Sequence, residues 1–154
     1  MESIGYPDDE LIRGALGRAK TIAVLGASPK PVRPSHGVLQ FLLAAGYHAI
    51  PVNPGHDGKQ IAGQKVYARL ADIPEPIDMV DVFRRSDALE SVVDEVLQLD
   101  PLPAVIWTQL GVINPTATNR AERAGIQLVI DRCPAIEYPR LFGPVPRPSQ
   151  VTFA

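Results

Sequence analysis

Short apolar runs alternate with helical segments along this chain, and that alternation constrains the fold more than any other feature. The runs lie at residues 22–25, 48–52, 79–83, 104–108 and 127–130. The first is apolar without interruption, as expected for a strand that is covered on both faces. Strands joined through helices run parallel, with right-handed crossovers. The sequence therefore predicts an α/β fold: a Rossmann-like, doubly wound, mostly parallel sheet of about five strands with helices on both faces.

Helix starts and stops between these runs are predicted from capping residues. Asp8 precedes apolar positions at helical spacing, and Asn114 stands before a proline that suits a first helical position. The predicted helices run from Asp8 to Lys20, from about Ser35 to Ala45, from Asp87 to Leu99 and from Asn114 to Gly125. We interpret residues 1–143 as one domain and the proline-rich residues 144–154 as an extended tail.

Composition limits the functional class. A net charge of −2 gives no general attraction to nucleic acid or to an anionic membrane. No apolar run approaches the roughly 18 residues that cross a bilayer, and the acidic start does not resemble a signal peptide, so a cytoplasmic location is expected. The single cysteine, Cys133, allows no internal disulfide, and it has no metal-ligand spacing with the three histidines. No metal site is therefore expected.

Four loops follow the predicted strands and so meet at one edge of the sheet. In open parallel sheets, ligands bind beyond the carboxyl ends of the strands. These loops read GASPKPVRP, NPGHDGK, FRRS and TQLGV, at residues 26–34, 53–59, 83–86 and 108–112. The small residues Gly26, Ala27 and Ser28 would let backbone N–H groups approach a ligand, just before a helix that begins near Ser35.

Basic side chains cluster in two of these loops, immediately ahead of predicted helices. They are Lys30, Arg33, Arg84 and Arg85. A cation at the start of a helix opposes the helix dipole, whereas an anion bound there would be stabilised. The sequence therefore predicts an anion site. The alternative is that these cations are solvated or pair with carboxylates, for which the candidates are Asp57, Asp72, Asp81 and Asp131.

The identity of the anion stays open at this level. The first loop lacks the G-x-G-x-x-G pattern, and Asn53 stands where a dinucleotide site would carry an acid, so NAD is disfavoured. Lys59 would suit an additional phosphate on the ribose, which coenzyme A carries at the 3′ position and NADP at the 2′ position. Gln109 is a candidate for lining the site beyond the fourth strand. Core packing suits Trp107 as well as ligand contact does, and it suits Cys133 better than a reactive role.

Several blocks of the chain resemble the small stand-alone CoA-binding proteins and, more distantly, the CoA-binding domain of the succinyl-CoA synthetase alpha subunit. The blocks are IAVLGASPKPVRPSHGV, GYHAIPVNP, DMVDVFRRSD, VIWTQLGV and DRCPAIEYPR. The resemblance implies a Rossmann-like CoA domain whose phosphates lie against Ala27, Ser28 and the loop to Arg33. It further implies that the ADP portion is bordered by Asn53, Pro54 and Lys59, and its adenine side by Val82, Phe83 and Arg84.

The leading hypothesis is thus a protein that binds coenzyme A or an acyl-CoA without catalysis. An NADP-dependent oxidoreductase or another nucleotide-binding enzyme is the first alternative, although no Tyr/Lys or His acid–base pair is recognisable. A regulatory protein that responds to CoA through a partner is the second. The sequence identifies no protein partner, and apolar surface on the first helix or the last segment would suit a homodimer.

Overall fold

The computed structural model describes residues 6–144, which build one five-stranded parallel sheet and a separate two-stranded hairpin. The strands are β1 (Thr21–Leu25), β2 (His48–Val52), β3 (Gln60–Ile61), β4 (Gln64–Lys65), β5 (Met79–Val82), β6 (Val105–Thr108) and β7 (Gln127–Val129). The helices are α1 (Asp9–Arg18), α2 (Pro34–Ala44), α3 (Leu89–Leu97), α4 (Pro115–Arg123) and α5 (Pro134–Phe142). The predicted α/β class is confirmed. Residues 145–154 of the predicted tail lie outside the described residues.

The main sheet has the strand order β2-β1-β5-β6-β7, and every neighbouring pair is parallel. From β1 the chain first moves outward to β2 and then returns to the other side of β1 as β5. The sheet therefore reverses its direction of growth between β1 and β5. Such a switch point leaves a crevice beyond the carboxyl ends of the two strands, because the loops that follow them diverge to opposite faces.

Apolar side chains fill both faces of the sheet. One core cluster joins the sheet to α3 and α4, for example through Val93 and Ala121. The second joins the opposite face to α1, α2 and α5, for example through Leu16 and Leu39. All four residues of β5 and of β6 are buried, which explains why these strands carry no alternating pattern.

The predicted caps at the first and fourth helices are confirmed. An Asp8 carboxylate oxygen accepts a hydrogen bond from the Leu11 amide at 2.8 Å. The Asn114 side chain accepts from the Ala117 amide at 3.2 Å, with a proline at the first helical position. These side chains satisfy amide groups that a helix start otherwise leaves unpaired.

The predicted start of the third helix is wrong. Residues Ser86–Ala88 form a short 3₁₀ turn, and α3 begins only at Leu89 and ends at Leu97 rather than at Leu99. Asp87 makes no capping hydrogen bond, and its carboxylate lies 3.3 Å from Arg85. Ser86 instead holds the turn against the loop after β6, because its hydroxyl accepts from the Ile113 amide at 2.9 Å.

Two elements were not predicted. The turn-rich stretch after β2 contains the β3–β4 hairpin, whose two turn residues, Ala62 and Gly63, both have positive φ. The segment after β7 forms α5, although Pro139 lies inside it. Arg140 ties α5 to α1 with two hydrogen bonds to the Asp9 carboxylate, at 2.7 and 3.1 Å. Contacts between distant parts of the chain thus stabilise a helix that its own sequence does not announce.

Candidate functional site

An open pocket of about 580 Å³ lies beyond the carboxyl ends of the strands at the switch point. We call it the carboxyl-edge pocket. Its volume is typical of small-molecule sites. It is lined by Gly26, Ser28, Arg33, Pro34, Ser35, Phe83, Arg84, Arg85, Gln109, Leu110, Val112 and Cys133. These residues follow β1, β5, β6 and β7, so four consecutive strands of the sheet each contribute a loop.

Gly26 allows the ends of β1 and β5 to approach closely. Its φ is +91°, and a Cβ at this position would lie 2.3 Å from the Phe83 carbonyl oxygen. Only glycine fits this backbone conformation and this space without displacement. The residue's role is therefore to bring the β1 loop against the β5 loop, which closes the floor of the crevice.

Hydrogen bonds hold the loop between Gly26 and α2 in one conformation. The Ser28 amide donates to the Ser35 hydroxyl at 3.0 Å, and the Lys30 amide donates to the Ser28 hydroxyl at 3.1 Å. The His36 ring nitrogen Nδ1 lies 3.0 Å from the Ser28 carbonyl oxygen. The start of α2 is thereby fixed beside the pocket with its positive dipole end toward the crevice.

Asn53 connects the end of β2 to the same loop. Its amide nitrogen donates to the Ala27 carbonyl at 2.8 Å, and its amide oxygen accepts from the Gly55 amide at 2.9 Å. Both ends of the carboxamide are therefore engaged within the protein. The side chain acts as a strut between two of the loops that were predicted to share an edge.

Arg33 and Arg84 carry positive charge into the carboxyl-edge pocket without a counterion. Within residues 6–144, no carboxylate lies within 4.0 Å of either guanidinium, whereas Arg85 pairs with Asp87 at 3.3 Å. Arg33 is also the N-cap of α2, where it makes no side-chain capping bond, and the first turn of that helix contains no acid. A bound anion would therefore relieve repulsion between the cations and the helix dipole.

The four carboxylates considered as partners for these cations lie elsewhere or are used elsewhere. Asp72 pairs with Arg69 at 3.3 Å, and Asp131 accepts a hydrogen bond from the Gly111 amide at 2.7 Å. Asp57 makes no ion pair within the described part of the chain. Asp81 is fully buried in β5. Pairing of the cluster with these acids is therefore not found, whereas Arg33 and Arg84 are exposed, as the alternative of solvated cations also predicts.

Asp81 is an unusual residue for the middle of a parallel sheet. It pairs in register with Val24 on one side and with Trp107 on the other, and neither carboxylate oxygen has a hydrogen-bond partner among the described residues. Burial raises the pKa of the Asp81 carboxyl well above its usual value. Burial therefore favours the neutral form of this carboxyl beneath the pocket.

Gln109 brings an unsatisfied polar group to the pocket wall. The residue is 7% exposed, and its side-chain oxygen is buried without a hydrogen-bond partner in the described structure. Trp107, two residues earlier, is fully buried, and its indole N–H donates to the Arg132 carbonyl at 2.9 Å. Trp107 is therefore a core residue, whereas the side-chain oxygen of Gln109 is left without a partner among the described residues.

The structure gathers about half of the predicted binding residues around the carboxyl-edge pocket. Those that line it are Gly26, Ser28, Arg33, Ser35, Phe83, Arg84 and Gln109. The remaining predicted residues do not line it: Ala27, Lys30, Asn53, Pro54, Lys59 and Val82. Ala27 and Val82 are completely buried in the core, whereas Lys30 and Lys59 are exposed. Ligand contact by this second group stays a prediction.

Sequence reasoning missed several lining residues, of which Leu110, Val112 and Cys133 are the most informative. Leu110 and Val112 follow β6, and Cys133 follows β7. Leu110 and Val112 belong to the fourth predicted loop, residues 108–112, so the topological rule already placed them at this edge. Two apolar side chains and a lone thiol carry no formal charge, so the charge pattern did not mark these three residues for ligand contact.

A second pocket, of about 420 Å³, provides a contrast at the opposite edge of the sheet. It is lined by residues 70–71, 73–77 and 98–101, which precede β5 and β6. Its charged lining residues are Glu75 and Asp100, and no cation contributes to it. An anionic ligand is therefore disfavoured there. We call it the amino-edge pocket.

Comparison with known proteins identifies the family. A family model described as a CoA binding domain matches residues 20–139. The chain belongs to the CoA-binding domain family. Family membership supports coenzyme A as the ligand class. The matched range includes every residue that lines the carboxyl-edge pocket.

Individual proteins are similar to this chain over most of its length. The chain is 40% identical over 127 residues to the uncharacterized protein YneT of Bacillus subtilis, and the match covers 82% of this chain and 91% of the relative. A Thermus thermophilus structure, named cell-free ID.343, superposes with a TM-score of 0.83 at 43% identity and covers 88% and 100% of the two chains.

A longer relative matches this chain over a small part of its own length. The chain is 32% identical over 85 residues to the alpha subunit of an ADP-forming acetate–CoA ligase of Pyrococcus furiosus. The match covers 53% of this chain but only 18% of that subunit. Within residues 6–144, no helix is long and apolar enough to cross a membrane, and no group of three or more His, Cys, Asp or Glu side chains could hold a metal ion.

Proposed function

We propose that this protein binds coenzyme A or an acyl-CoA in the carboxyl-edge pocket and acts by binding rather than by turnover. The observation that carries the proposal is the pair Arg33 and Arg84, which line one pocket without contact to a carboxylate of residues 6–144. Coenzyme A is strongly anionic through its phosphates. Two unneutralised guanidinium groups beside a helix start are a suitable site for a pyrophosphate.

The remaining walls suit the rest of the ligand. Phe83 and Val112 supply apolar surface, on which an adenine ring or the methyl groups of the pantetheine arm could pack. The side-chain oxygen of Gln109 has no partner among the described residues, and after a turn of the side chain toward the pocket it can accept a hydrogen bond from an amide N–H of that arm. Lys59, exposed in the loop after β2, is the proposed partner of the 3′-phosphate.

Binding without turnover is proposed because the lining offers little for acid–base catalysis. Among the described residues, those that line the carboxyl-edge pocket include no histidine, aspartate or glutamate. Proton transfer in acyl or hydride chemistry normally uses such a group within hydrogen-bond reach. A ligand-dependent surface for another protein is compatible with this function.

Titration calorimetry at low ionic strength tests the proposal. We expect Arg33→Gln and Arg84→Gln each to weaken CoA binding about tenfold, the usual loss for one charge-assisted hydrogen bond. Lys20→Gln is the matched control, because it removes the same charge from a residue that precedes β1 at the amino edge of the sheet. Its affinity should equal that of the wild type.

Two further ligands sharpen the test. Dephospho-CoA should bind more weakly than CoA to the wild type, and Lys59→Gln should remove that difference. NADPH should fail to displace CoA. Equal losses in Lys20→Gln and the two pocket variants would contradict the proposed location, and an absence of CoA binding to the wild type would contradict the function itself.

A further inference from the structure

The only cysteine of the chain lies at the carboxyl-edge pocket. Cys133 follows β7, is the N-cap of α5 and lines the same pocket as Arg33 and Arg84. Its side chain makes no capping hydrogen bond with the helix. The residue is 9% exposed, and it immediately precedes the first turn of a nine-residue helix, where amide N–H groups stabilise negative charge.

A second and independent feature of this part of the pocket calls for a ligand. The side-chain oxygen of Gln109 is buried, the residue is only 7% exposed, and no donor reaches that oxygen within the described chain. Buried acceptors in folded proteins are nearly always paired. A turn of this side chain toward the pocket would let its oxygen accept from an amide N–H of a bound molecule, and the pantetheine arm of coenzyme A contains two amide groups and ends in a thiol.

The strand order gives the direction in which such an arm would run. Ser28 follows β1, Arg84 follows β5, Gln109 follows β6 and Cys133 follows β7, and these four strands are consecutive in the sheet. A ligand that crosses the strand ends from the phosphate side passes Gln109 before it reaches Cys133. The distance from β1 to β7 is three strand spacings, about 14 Å. An extended pantetheine arm covers such a distance.

We propose that Cys133 exchanges with a disulfide of coenzyme A and retains one CoA moiety as a mixed disulfide. This inference rests on the proposed function, because the exchange requires CoA to bind in the carboxyl-edge pocket. The Cys133 thiolate attacks the CoA sulfur of the bound disulfide, a new S–S bond forms and the original S–S bond breaks. The departing thiolate takes up the proton that Cys133 has released. The disulfide supplies the oxidising equivalent, so no further oxidant is needed.

The pocket suits this exchange better than acyl transfer from an acyl-CoA to the same sulfur. Acyl transfer forms a tetrahedral oxyanion and normally uses an acid–base group, and the described lining contains no histidine or carboxylate. In disulfide exchange, one thiolate attacks and another leaves, so the protein needs only to align the sulfurs. The fraction of chains that carry a CoA moiety would thereby rise and fall with the disulfide fraction of the CoA pool, because the mixed disulfide is covalent and reversible.

Intact-mass measurement under non-reducing conditions tests the exchange. The purified chain is first reduced and freed of reductant, and is then mixed with CoA disulfide or with glutathione disulfide. We expect one CoA adduct per chain, its removal by dithiothreitol, and adduct formation at least about tenfold faster with CoA disulfide than with glutathione disulfide at equal concentration. Cys133→Ser should form no adduct. Desulfo-CoA, which lacks the thiol, should slow the reaction by occupying the pocket.

The variant Gln109→Ala tests whether the side-chain oxygen of Gln109 contributes to the reaction at Cys133. It should slow adduct formation with CoA disulfide about tenfold, as expected for one lost hydrogen bond, and it should leave the slow reaction with glutathione disulfide unchanged. Gln98→Ala, at the amino-edge pocket, is the matched control and should react like the wild type. If Gln109→Ala fails to fold, protection by desulfo-CoA decides the same question in the wild-type protein.

The outcomes separate this inference from the proposed function. Tight binding of reduced CoA in calorimetry, together with no adduct from CoA disulfide, overturns the exchange and leaves the binding function intact. Equal rates with both disulfides and no protection by desulfo-CoA also overturn it, since the thiol would then react without recognition. If neither binding nor adduct formation is found, both proposals fall.

Discussion

The two edges of the parallel sheet carry polar residues in opposite states. At the amino edge, one carboxylate oxygen of Asp78 accepts from the Lys20 and Thr21 amides, at 2.9 Å each. Glu75 lies 2.6 Å from the His48 ring nitrogen and also accepts from the Thr21 hydroxyl at 3.2 Å. At the carboxyl edge, by contrast, the Arg33 and Arg84 guanidinium groups contact no carboxylate of residues 6–144.

This difference separates residues that hold the fold from residues that are available to a ligand. Where strands begin, carboxylates of the protein pair with amide groups that the sheet leaves unpaired, so the negative charge there already has partners within the protein. Where strands end, positive charge and a helix start remain without a partner. Changes at the amino edge should therefore alter stability alone, and changes at the carboxyl edge should alter ligand affinity as well.

The largest expected effect comes from adding a methyl group where the ends of β1 and β5 approach closely at the carboxyl edge. Gly26→Ala should destabilise the fold by about 2–4 kcal/mol, because the new Cβ meets the Phe83 carbonyl oxygen at 2.3 Å in a backbone conformation with φ of +91°. Denaturant unfolding measures this loss. Gly37→Ala, whose Cβ would meet nothing within 4 Å, is the control and should be neutral or slightly stabilising. Equal stabilities for the two variants would show that the close approach is not required.

The second prediction concerns Asp81, the acid that is buried beneath the same edge. Burial raises the pKa of Asp81, so the folded state keeps a proton that the unfolded chain releases above about pH 4. Stability of the wild type relative to Asp81→Asn should therefore fall as pH rises from 4 toward the folded-state pKa, by up to about 1.4 kcal/mol per pH unit. Unfolding curves from pH 4 to 8 measure the difference.

The control is an exposed acid of the same type. Asp57→Asn, in the loop after β2, should give a difference from the wild type that does not change with pH in this way. A flat curve for Asp81→Asn would mean that this carboxyl is ionised in the folded protein. The carboxyl edge would then have negative charge close beneath it, and the contrast between the edges would weaken.

Much of the fold follows from local sequence, and the exceptions share one cause. The runs at β1 and β6 are apolar because both faces are covered, and Asp8 and Asn114 cap helices by bonds to their own first turns. The helix α5 escaped prediction because it contains a proline and is held by α1 through Arg140. Interactions that span the chain leave no periodic signal in the segment they stabilise.

The candidate site was predictable at the level of loops rather than of side chains. Topology and charge together identified Arg33 and Arg84, since any parallel sheet gathers the loops after its strands. The same reasoning did not separate Asn53, whose amide is engaged by Ala27 and Gly55, from residues that face the pocket. Side-chain direction and hydrogen-bond partners depend on neighbours that are remote in sequence, so they required the structure.

A third prediction tests this distinction at Asn53. Asn53→Ala removes two hydrogen bonds and should cost about 1–2 kcal/mol of stability. It should also weaken CoA binding, because the strut holds the Ala27 carbonyl and thereby the β1 loop. Asp8→Ala removes the cap of α1, a helix that contributes no residue to the lining, and should lower stability by about 1 kcal/mol with CoA affinity unchanged. Matched affinities in calorimetry would show that the strut is not needed for the pocket.

The smallest expected effect lies at the amino edge and completes the comparison. The pair His48–Glu75 is partly exposed, with 53% and 36% of the two side chains accessible, so Glu75→Gln should cost less than about 1 kcal/mol. A glutamine can still accept from the Thr21 hydroxyl, and the charge it removes is remote from the carboxyl-edge pocket. CoA affinity should therefore stay at the wild-type value even at low salt, where charge effects are largest. A gain in affinity would show that charge at the amino edge affects CoA binding at the opposite edge, and the two edges would then not act independently.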